Sequence, residues 1–196
     1  MKTLSHKAFL ALRGNAKILE ADGHGEKVLA LEDGTILKLF RRKRLFSSAL
    51  LFPYAQRFGD NAAALRRIGV CSPQILDIVR VKEIKRDVVH YVPVPGSTLR
   101  QLFRENPGPA DLATKRQAIA SFIARLHDAG VYFRSLHLGN IVQIPNGEFG
   151  LIDISDLHIY PFSLPRFLRQ RNLARLARIA EAGEMAWIDE ARSLPD

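Results

Sequence analysis

The chain has 196 residues, enough for one domain or two small lobes sharing an interface, and its 47% apolar content argues against wholesale disorder. Its 29 Lys and Arg outnumber 20 Asp and Glu, and the resulting net charge of +9 points to a phosphorylated substrate, an anionic membrane face or nucleic acid as partner while saying nothing about fold. A single cysteine, Cys71, excludes an internal disulfide and a cysteine-based zinc cage and fits a reducing cytoplasm.

The chain opens Met1-Lys2-Thr3-Leu4-Ser5-His6-Lys7, and the apolar run Ala8-Phe9-Leu10-Ala11-Leu12 before Arg13 is too short for a signal-peptide core. No stretch approaches the roughly 18 apolar residues of a membrane span. A soluble cytoplasmic protein, peripheral to a membrane at most, is expected.

Residues 16–20 and 28–31 read as strands around the turn Asp22-Gly23-His24-Gly25, and Glu32-Asp33-Gly34 is a tight turn into an apolar strand at 35–40. Lys38 lies between Leu37 and Leu39, so it shares a face with Ile36 and Phe40. On an apolar face a lysine needs an anionic partner such as phosphate; the other reading is that this face is the solvent one. The Gly-x-Gly of the first turn is weak evidence by itself, and no Gly-Lys-Ser/Thr loop is present. Arg41-Arg42-Lys43-Arg44 is the densest basic cluster. Residues 47–58 and 60–68 read as two helices, the second with a stripe of Ala62, Leu65 and Ile68 or Gly69, and Gly69-Val70-Cys71-Ser72-Pro73 ends it. Cys71 reads as a small packing residue, because no base stands beside it in sequence. Residues 75–83 and 88–92 read as a strand pair around Lys85-Arg86-Asp87.

Pro93-Val94-Pro95-Gly96-Ser97 reads as a hinge, since two prolines remove strand donors and the glycine bends the chain. It divides a strand-rich region, 1–95, from a helical one, 96–196. A short helix at 98–103 is broken by Asn106-Pro107-Gly108-Pro109. A long amphipathic helix follows at 111–129, with Leu112, Ile119, Phe122, Ile123 and Leu126 inward, and Gly130 stops it. Asn146-Gly147 turns a hairpin between 141–144 and 149–152. The last helical pattern, 164–182, sets Leu164, Phe167, Leu168, Leu173, Leu176 and Ala180 against Arg166, Arg169, Arg171, Arg175 and Arg178. It reads as a helix packed on the core with a solvated arginine face, the alternative being a basic amphipathic helix on an anionic membrane. Trp187 is a candidate anchor for the tail.

The stretch Tyr132-Phe133-Arg134-Ser135-Leu136-His137-Leu138-Gly139-Asn140-Ile141-Val142, followed by Leu151-Ile152-Asp153, carries the chemistry. Taken singly, Asn140 reads as a turn residue and Asp153 as a helix cap. Taken together, an Asn at the mouth of one strand and an Asp at the end of the next offer an amide oxygen and a carboxylate to one spot, as a Mg²⁺ ion on nucleotide phosphates requires.

A strand-rich first half with an inward lysine, a helix, a hinge, and a helical second half carrying loop, Asn, strand and Asp resembles the order of a protein-kinase-like fold. More closely, the chain resembles the small bacterial kinases of the lipopolysaccharide core (Kdo) kinase type, which include toluene-tolerance proteins. The resemblance runs over about 16–178. Its most specific part is Leu126-His127 through Asn140-Ile141-Val142 with Leu151-Ile152-Asp153. Members of that family commonly read Leu-His, a Gly, His-x-Asp-Leu-His-x-Gly-Asn-Ile-Leu, and an apolar pair with Asp. The resemblance implies an α+β fold, a small bilobal protein-kinase-like one, with an antiparallel β-sheet N-lobe at 1–95 and a reduced, mainly helical C-lobe at 96–196. It implies ATP and Mg²⁺, with Lys38 on the α- and β-phosphates and the turn bearing Gly23 and Gly25 over the phosphates. Tyr91, Val92 and Val94 would line the linker that holds adenine, and Asn140 and Asp153 would be the metal ligands.

The chain departs from that pattern at several positions. Ser135 stands where the catalytic aspartate would be, and Phe133 replaces the preceding histidine. A serine hydroxyl has little basicity, and a carboxylate there is worth roughly 10²–10⁴-fold. Phosphoryl transfer depends largely on positioning and charge, however, so loss of the base need not abolish it. His137 and Asp156 are the candidate substitutes. Asp60 and Asn61 stand where a helix glutamate would pair with Lys38; Asn61 can bond the ammonium without neutralising it. Ile154-Ser155 replaces Phe-Gly after the metal-binding Asp. The short stretch after Asp153 leaves no room for a peptide-binding helical subdomain, so a sugar or lipid-linked acceptor is expected in preference to a protein.

The expected function is an ATP-dependent phosphotransferase acting on lipopolysaccharide core sugar, or another phosphorylated sugar, in the cytoplasm or peripherally at the inner face of the inner membrane. The alternative is a pseudokinase that binds nucleotide or partners and regulates envelope and lipopolysaccharide assembly without phosphoryl transfer. Nucleic acid is the least supported partner, because no recognition motif accompanies the basic runs.

Overall fold

A computed structural model describes residues 1–41, 53–105, 112–180 and 183–188. The chain is α+β. It divides into two units, Met1–Ala63 with Ser72–Pro93, and Ala64–Cys71 with Val94–Asp196. The basic cluster beyond Arg41, the first part of the helix expected at 47–58 and the breaker at 106–109 lie outside the described residues.

The first unit is a six-stranded sheet in the order β1-β5-β6-β4-β3-β2. Its strands are β1 (Lys2–Thr3), β2 (Lys17–Asp22), β3 (Gly25–Ala30), β4 (Ile36–Arg41), β5 (Gln74–Val81) and β6 (Arg86–Val92). All neighbours are antiparallel except β1 and β5. The pleat sends Leu37 and Leu39 of β4 into a core with Leu29, Val79, Val81 and Val88. Phe9 of the helix α1 (His6–Arg13) closes that core. Nothing in the apolar pattern announced α1, because Phe9 is its only buried residue. The one legible signal was Ser5, whose hydroxyl accepts the Ala8 N–H at 3.2 Å as an N-cap. The strand expected at 28–31 begins three residues earlier, since Asp22 pairs with Gly25 and only Gly23 and His24 form the turn.

The opposite face of the sheet carries Ile36, Lys38 and Phe40 and is covered by α2 (Tyr54–Arg67), whose Phe58 ring lies 6.0 Å from Phe40 and 5.3 Å from Tyr91. Two helices separated near Gly59 were expected; one helix runs through it. A Cβ at position 59 would come within 2.4 Å of Ile78 Cδ1, so this glycine serves close helix-to-sheet approach and does not break the helix. Ala55, Phe58, Ala62 and Leu65 form the buried stripe. Ile68, assigned to that stripe from sequence, lies past the helix end and is 39% exposed. Across β5 and β6, Arg80 holds the buried Asp87 through two bonds of 2.7 and 3.2 Å.

In the second unit, β7 (Ser97–Thr98) pairs with β9 (Ile141–Gln143), which pairs with β10 (Phe149–Leu151). A separate pair joins β8 (Val131–Phe133) to β11 (Leu157–Ile159). Gly96 makes the first pairing possible: its φ is +115°, and a Cβ there would lie 2.0 Å from the Gln143 carbonyl oxygen. Thr98 and Gln101 then form a reciprocal capping box that starts α3 (Leu99–Glu105), with bonds of 2.8 and 3.2 Å. Helix α4 (Leu112–Asp128) buries Ile119, Phe122, Ile123 and Leu126. Trp187 is buried, its ring 5.4 Å from Phe103 in an edge-on arrangement.

Helix α5 (Arg166–Ile179) differs from the expected apolar set. Its buried residues are Asn172 and Leu176, whereas Phe167 is 66% exposed. Arg169 and Arg175 are tied down: Arg169 bonds Asp128, Ser163 Oγ and the Leu164 carbonyl, each at 2.7 Å, and Arg175 Nε reaches the Arg134 carbonyl at 3.2 Å. Leu164 precedes the helix and donates its N–H to the His127 carbonyl at 2.8 Å. Among the described residues no helix is long and apolar enough to cross a membrane.

One polar contact ties α4, β8 and α5 together. Asn172, 0% exposed, donates Nδ2–H to the Phe133 carbonyl at 2.7 Å, and its Oδ1 faces His127 Nε2 at 3.1 Å. Because the amide nitrogen is committed to Phe133, Oδ1 is the acceptor and His127 carries its proton on Nε2. Asn172→Ala strands both partners and is expected to destabilise the fold by about 2–6 kcal/mol in urea unfolding, ~1–3 for each of the two stranded groups. Burial also pushes the His127 pKa below its ordinary value, the Asn172 bond opposing that shift. Above about 6.5 the imidazole is neutral folded or unfolded; below it only the unfolded chain takes the proton. Stability should therefore fall as pH drops from about 6.5 toward the lowered folded value, and His127→Gln should flatten that slope in unfolding measured against pH.

Candidate functional site

The loop from β8 to β9 is built from its apolar members outward. Leu136 and Leu138 are buried, and a turn closes by donation from Leu136 N–H to the Phe133 carbonyl at 3.1 Å, leaving Ser135 half-buried at its bend. A short 3₁₀ helix, Leu138–Asn140, follows. Asn140 is buried, and its Nδ2 reaches back to the Ser135 carbonyl at 2.8 Å. Its N–H donates to the His137 carbonyl at 2.8 Å. With the amide nitrogen so committed, Oδ1 is left as an acceptor that takes no hydrogen bond from another described residue. The side chain thus braces the loop five residues back and presents one oxygen, which a residue serving only its own turn does not do.

Asp153 stands beside it. The β9–β10 ladder ends at the Ile141–Leu151 pair, and one step further Ile152 N–H donates to the Asn140 carbonyl at 3.0 Å. Asp153 follows in the left-handed conformation, φ 52° and ψ 43°, which costs an L-residue roughly 1–2 kcal/mol. It precedes the 3₁₀ helix Ile154–Asp156 at the position of a cap, yet its exposed carboxylate makes no capping bond. That geometry separates Asp153 from an ordinary helix cap.

Ser135 and Asp156 close the other side. Ser135 Oγ donates to Asp156 Oδ2 at 2.5 Å, and Asp156 Oδ1 is buried with no hydrogen-bond partner among the described residues. His137 accepts the Gly139 N–H on Nδ1 at 3.0 Å, so its proton sits on Nε2. Burial and the nearby Arg100 push its pKa below the ordinary value, while Glu184, Asp153 and Asp156 pull the other way. His137 thus presents Nε2–H as a donor within electrostatic reach of both aspartates.

Sequence reasoning missed the pair that backs this loop. Arg100 of α3 holds Glu184 through two bonds, Nε to Oε1 at 2.6 Å and Nη2 to Oε2 at 3.0 Å, and Glu184 is fully buried. A Cβ at Gly139 would lie 3.0 Å from the His137 ring and 3.2 Å from Arg100 Nη1, so the guanidinium packs directly on the loop. Neither residue carries a local signal, because 84 positions separate the partners.

The remaining candidates lie mostly in the first unit. Lys38 is half-buried with Nζ 5.8 Å from the ring centroids of both Phe40 and Phe58, so neither an open solvent face nor a bare apolar one describes its setting. Asn61 is half-buried on α2, three residues beyond Phe58; the neighbouring Asp60 is exposed and accepts from Gln56 Nε2 at 2.9 Å. Gly23 and Gly25 flank His24 in the β2–β3 turn, where Asp22 Oδ1 accepts the His24 N–H at 2.8 Å and Arg86 donates to the His24 carbonyl. The His24 amide holds the Asp22 carboxyl below its usual range. Tyr91 stacks on Phe58 and Val92 is exposed at the end of β6. Val94 belongs to the second unit, where a Cβ at Gly150 would lie 3.1 Å from it. Cys71 gives its carbonyl to Leu151 N–H at 2.9 Å. The second unit thus brings Ser135, His137, Asn140, Asp153 and Asp156 together, and the first gathers Lys38, Phe58 and Tyr91.

Compared with models of known protein families and with curated proteins, the chain matches none. Among the described residues no group of three or more His, Cys, Asp or Glu is placed to hold a metal. An amide oxygen with one carboxylate suits Mg²⁺, which keeps water and phosphate as its other ligands. Ser135→Ala should leave the Asp156 carboxylate without its donor and lower stability by about 1–3 kcal/mol in thermal unfolding. Asp156→Asn, which still accepts from Ser135, should cost less.

Proposed function

We propose that the chain is a kinase-type phosphotransferase that uses ATP with Mg²⁺ to phosphorylate a sugar of the lipopolysaccharide core, or a similarly anionic phosphorylated sugar, at the cytoplasmic face of the inner membrane. The observation that carries the reading is the end of the β9–β10 hairpin: Asn140 Oδ1 presented by a braced amide, and Asp153 held left-handed without a capping bond. A left-handed aspartate is costly, and such backbone outliers cluster at functional sites. Asn140 and Asp153 would hold the metal, which spreads the negative charge of the transferred phosphoryl group. Lys38 would meet the α- and β-phosphates, the Gly23–Gly25 turn would cover them, and the segment around Tyr91, Val92 and Val94 would receive the adenine.

The missing catalytic aspartate has a physical remedy in this reading. Ser135 spends its hydroxyl proton on Asp156, so its oxygen lone pairs face outward as acceptors with a carboxylate one bond behind. In phosphoryl transfer from ATP, the proton released by the acceptor hydroxyl would pass to Ser135 Oγ and the Ser135 proton to Asp156 Oδ2. Asn140, fixed on the Ser135 carbonyl, keeps this relay in register with the metal ligands. The pseudokinase reading keeps nucleotide or partner binding and a regulatory output, and the feature that favours it is Ser135 itself.

The two readings share one expectation. Mg²⁺-dependent stabilisation by ATP in thermal unfolding should disappear in Lys38→Ala and in Asp153→Ala, and its absence from the wild-type chain would overturn the phosphotransferase reading and the nucleotide-binding form of the pseudokinase one. They part on turnover. Asp156→Asn should keep nucleotide binding and lose about 10²-fold in phosphoryl transfer if the relay operates. Wild-type turnover at ordinary enzyme rates sinks the pseudokinase reading. Phosphate on core oligosaccharide, compared by mass spectrometry in cells with and without the protein, identifies the acceptor.

A further inference from the structure

The segment between β11 and α5 is held firmly and yet displays its most apolar side chain. Tyr160 N–H bonds the Gly130 carbonyl at 2.9 Å, and Leu164, buried, bonds the His127 carbonyl at 2.8 Å. The carbonyl oxygens of Tyr160 and Phe162 lie against Gly130, at 2.3 and 2.6 Å from where its Cβ would be. Ser163 Oγ accepts from Arg169 at 2.7 Å, and Pro161 and Pro165 restrict the backbone further. Between these restraints His158, Tyr160 and Phe162 stack in sequence, rings 4.5 and 5.4 Å apart, and the series ends in Phe162 at 56% exposure. Phe167, in the first turn of α5, is 66% exposed. A rigid segment that holds two phenylalanines in water calls for something to cover them.

The charge around them names the cover. Helix α5 contains five arginines and no acidic residue. Arg169 is answered by Asp128, and Arg175 bonds the Arg134 carbonyl. Arg171 and Arg178 are exposed on the side that also carries Phe167 and make no hydrogen bond or ion pair among the described residues. An exposed helix face that bears arginines and no acidic residue, with phenylalanines at one end, matches an anionic bilayer: arginines at the level of lipid phosphates and aromatic rings below them. Nucleic acid would also satisfy the arginines, but the chain carries no nucleic-acid recognition motif beside them.

We propose that the outer face of α5, with the Phe162 segment, is a docking surface for an anionic phospholipid bilayer, Phe162 and Phe167 entering the interface and Arg171 and Arg178 pairing with lipid phosphates. The inference goes beyond the phosphotransferase reading and does not rest on it, since none of these residues belongs to the loop that carries the chemistry. It is tested with no nucleotide present, so the two can fail separately.

The full chain is sedimented with vesicles of phosphatidylcholine alone and of phosphatidylcholine with phosphatidylglycerol. Binding should require phosphatidylglycerol. Phe162→Ser and Phe167→Ser should each weaken it about tenfold, the loss of a partly inserted ring. Arg171→Gln and Arg178→Gln should each weaken it about fivefold. All four positions are exposed, so thermal unfolding of the variants should match the parent. A second measurement needs no loss of binding: a tryptophan introduced by Phe167→Trp should be quenched by brominated phosphatidylcholine in the mixed vesicles. No sedimentation with the mixed vesicles, binding indifferent to both phenylalanines, an unquenched tryptophan, or phenylalanine-dependent binding of single-stranded RNA that vesicles fail to compete away would each overturn the proposal.

Discussion

The second unit depends on the carboxamide of Asn172. Three elements distant in sequence meet at it: α5 supplies the side chain, α4 the imidazole of His127, and β8 the carbonyl of Phe133. A fully buried amide is tolerable only when its donors and acceptor are matched, and here the match fixes which face of α5 turns inward. The site inherits this constraint, because Phe133 is the residue from which the Ser135 turn departs. The outer surface inherits it too, because a helix fixed by Asn172 and Leu176 turns Phe167, Arg171 and Arg178 away from the core.

Outward from Phe133, the loop is a chain of hydrogen bonds in which each polar group has a single assignment. Ser135 gives its carbonyl to Asn140 and its hydroxyl proton to Asp156; Asn140 gives its own carbonyl to Ile152, which sets Asp153. Among the described residues, the Asn140 amide oxygen and one buried oxygen of Asp156 remain uncommitted. Open acceptors on a frame this constrained are the kind of preorganised polar groups that reaction sites use. The ion pair of Arg100 with buried Glu184 adds a second brace from behind, at the α-carbon of Gly139.

Much of the fold was legible because its signals are local. Strand alternation and turn chemistry identified the hairpins around Gly23 and Gly34 and at Asn146-Gly147, and the helical period identified α4. Gly59 misled, because a glycine that ends a helix and one that lets a helix approach a sheet are the same letter. Phe167 misled for a related reason: its spacing fits the inward stripe, but the inward face of α5 is set by a polar residue that hydropathy counts as outward. Helix α1 buries too little to be seen in a pattern.

For the candidate site, the sequence by itself determined the residue types and their order: Ser135, then Asn140, a hairpin and Asp153, because chemistry at fixed spacing along one chain is a one-dimensional property. Only the tertiary structure decided that Asp156 is bonded to Ser135, that Asp153 is left-handed and makes no capping bond, and that Arg100 and Glu184 stand behind the loop. Those facts come from contacts between segments 21 to 84 positions apart and from a backbone dihedral that no residue preference for aspartate dictates. Local chemistry fixes which groups are offered; long-range packing fixes which of them meet.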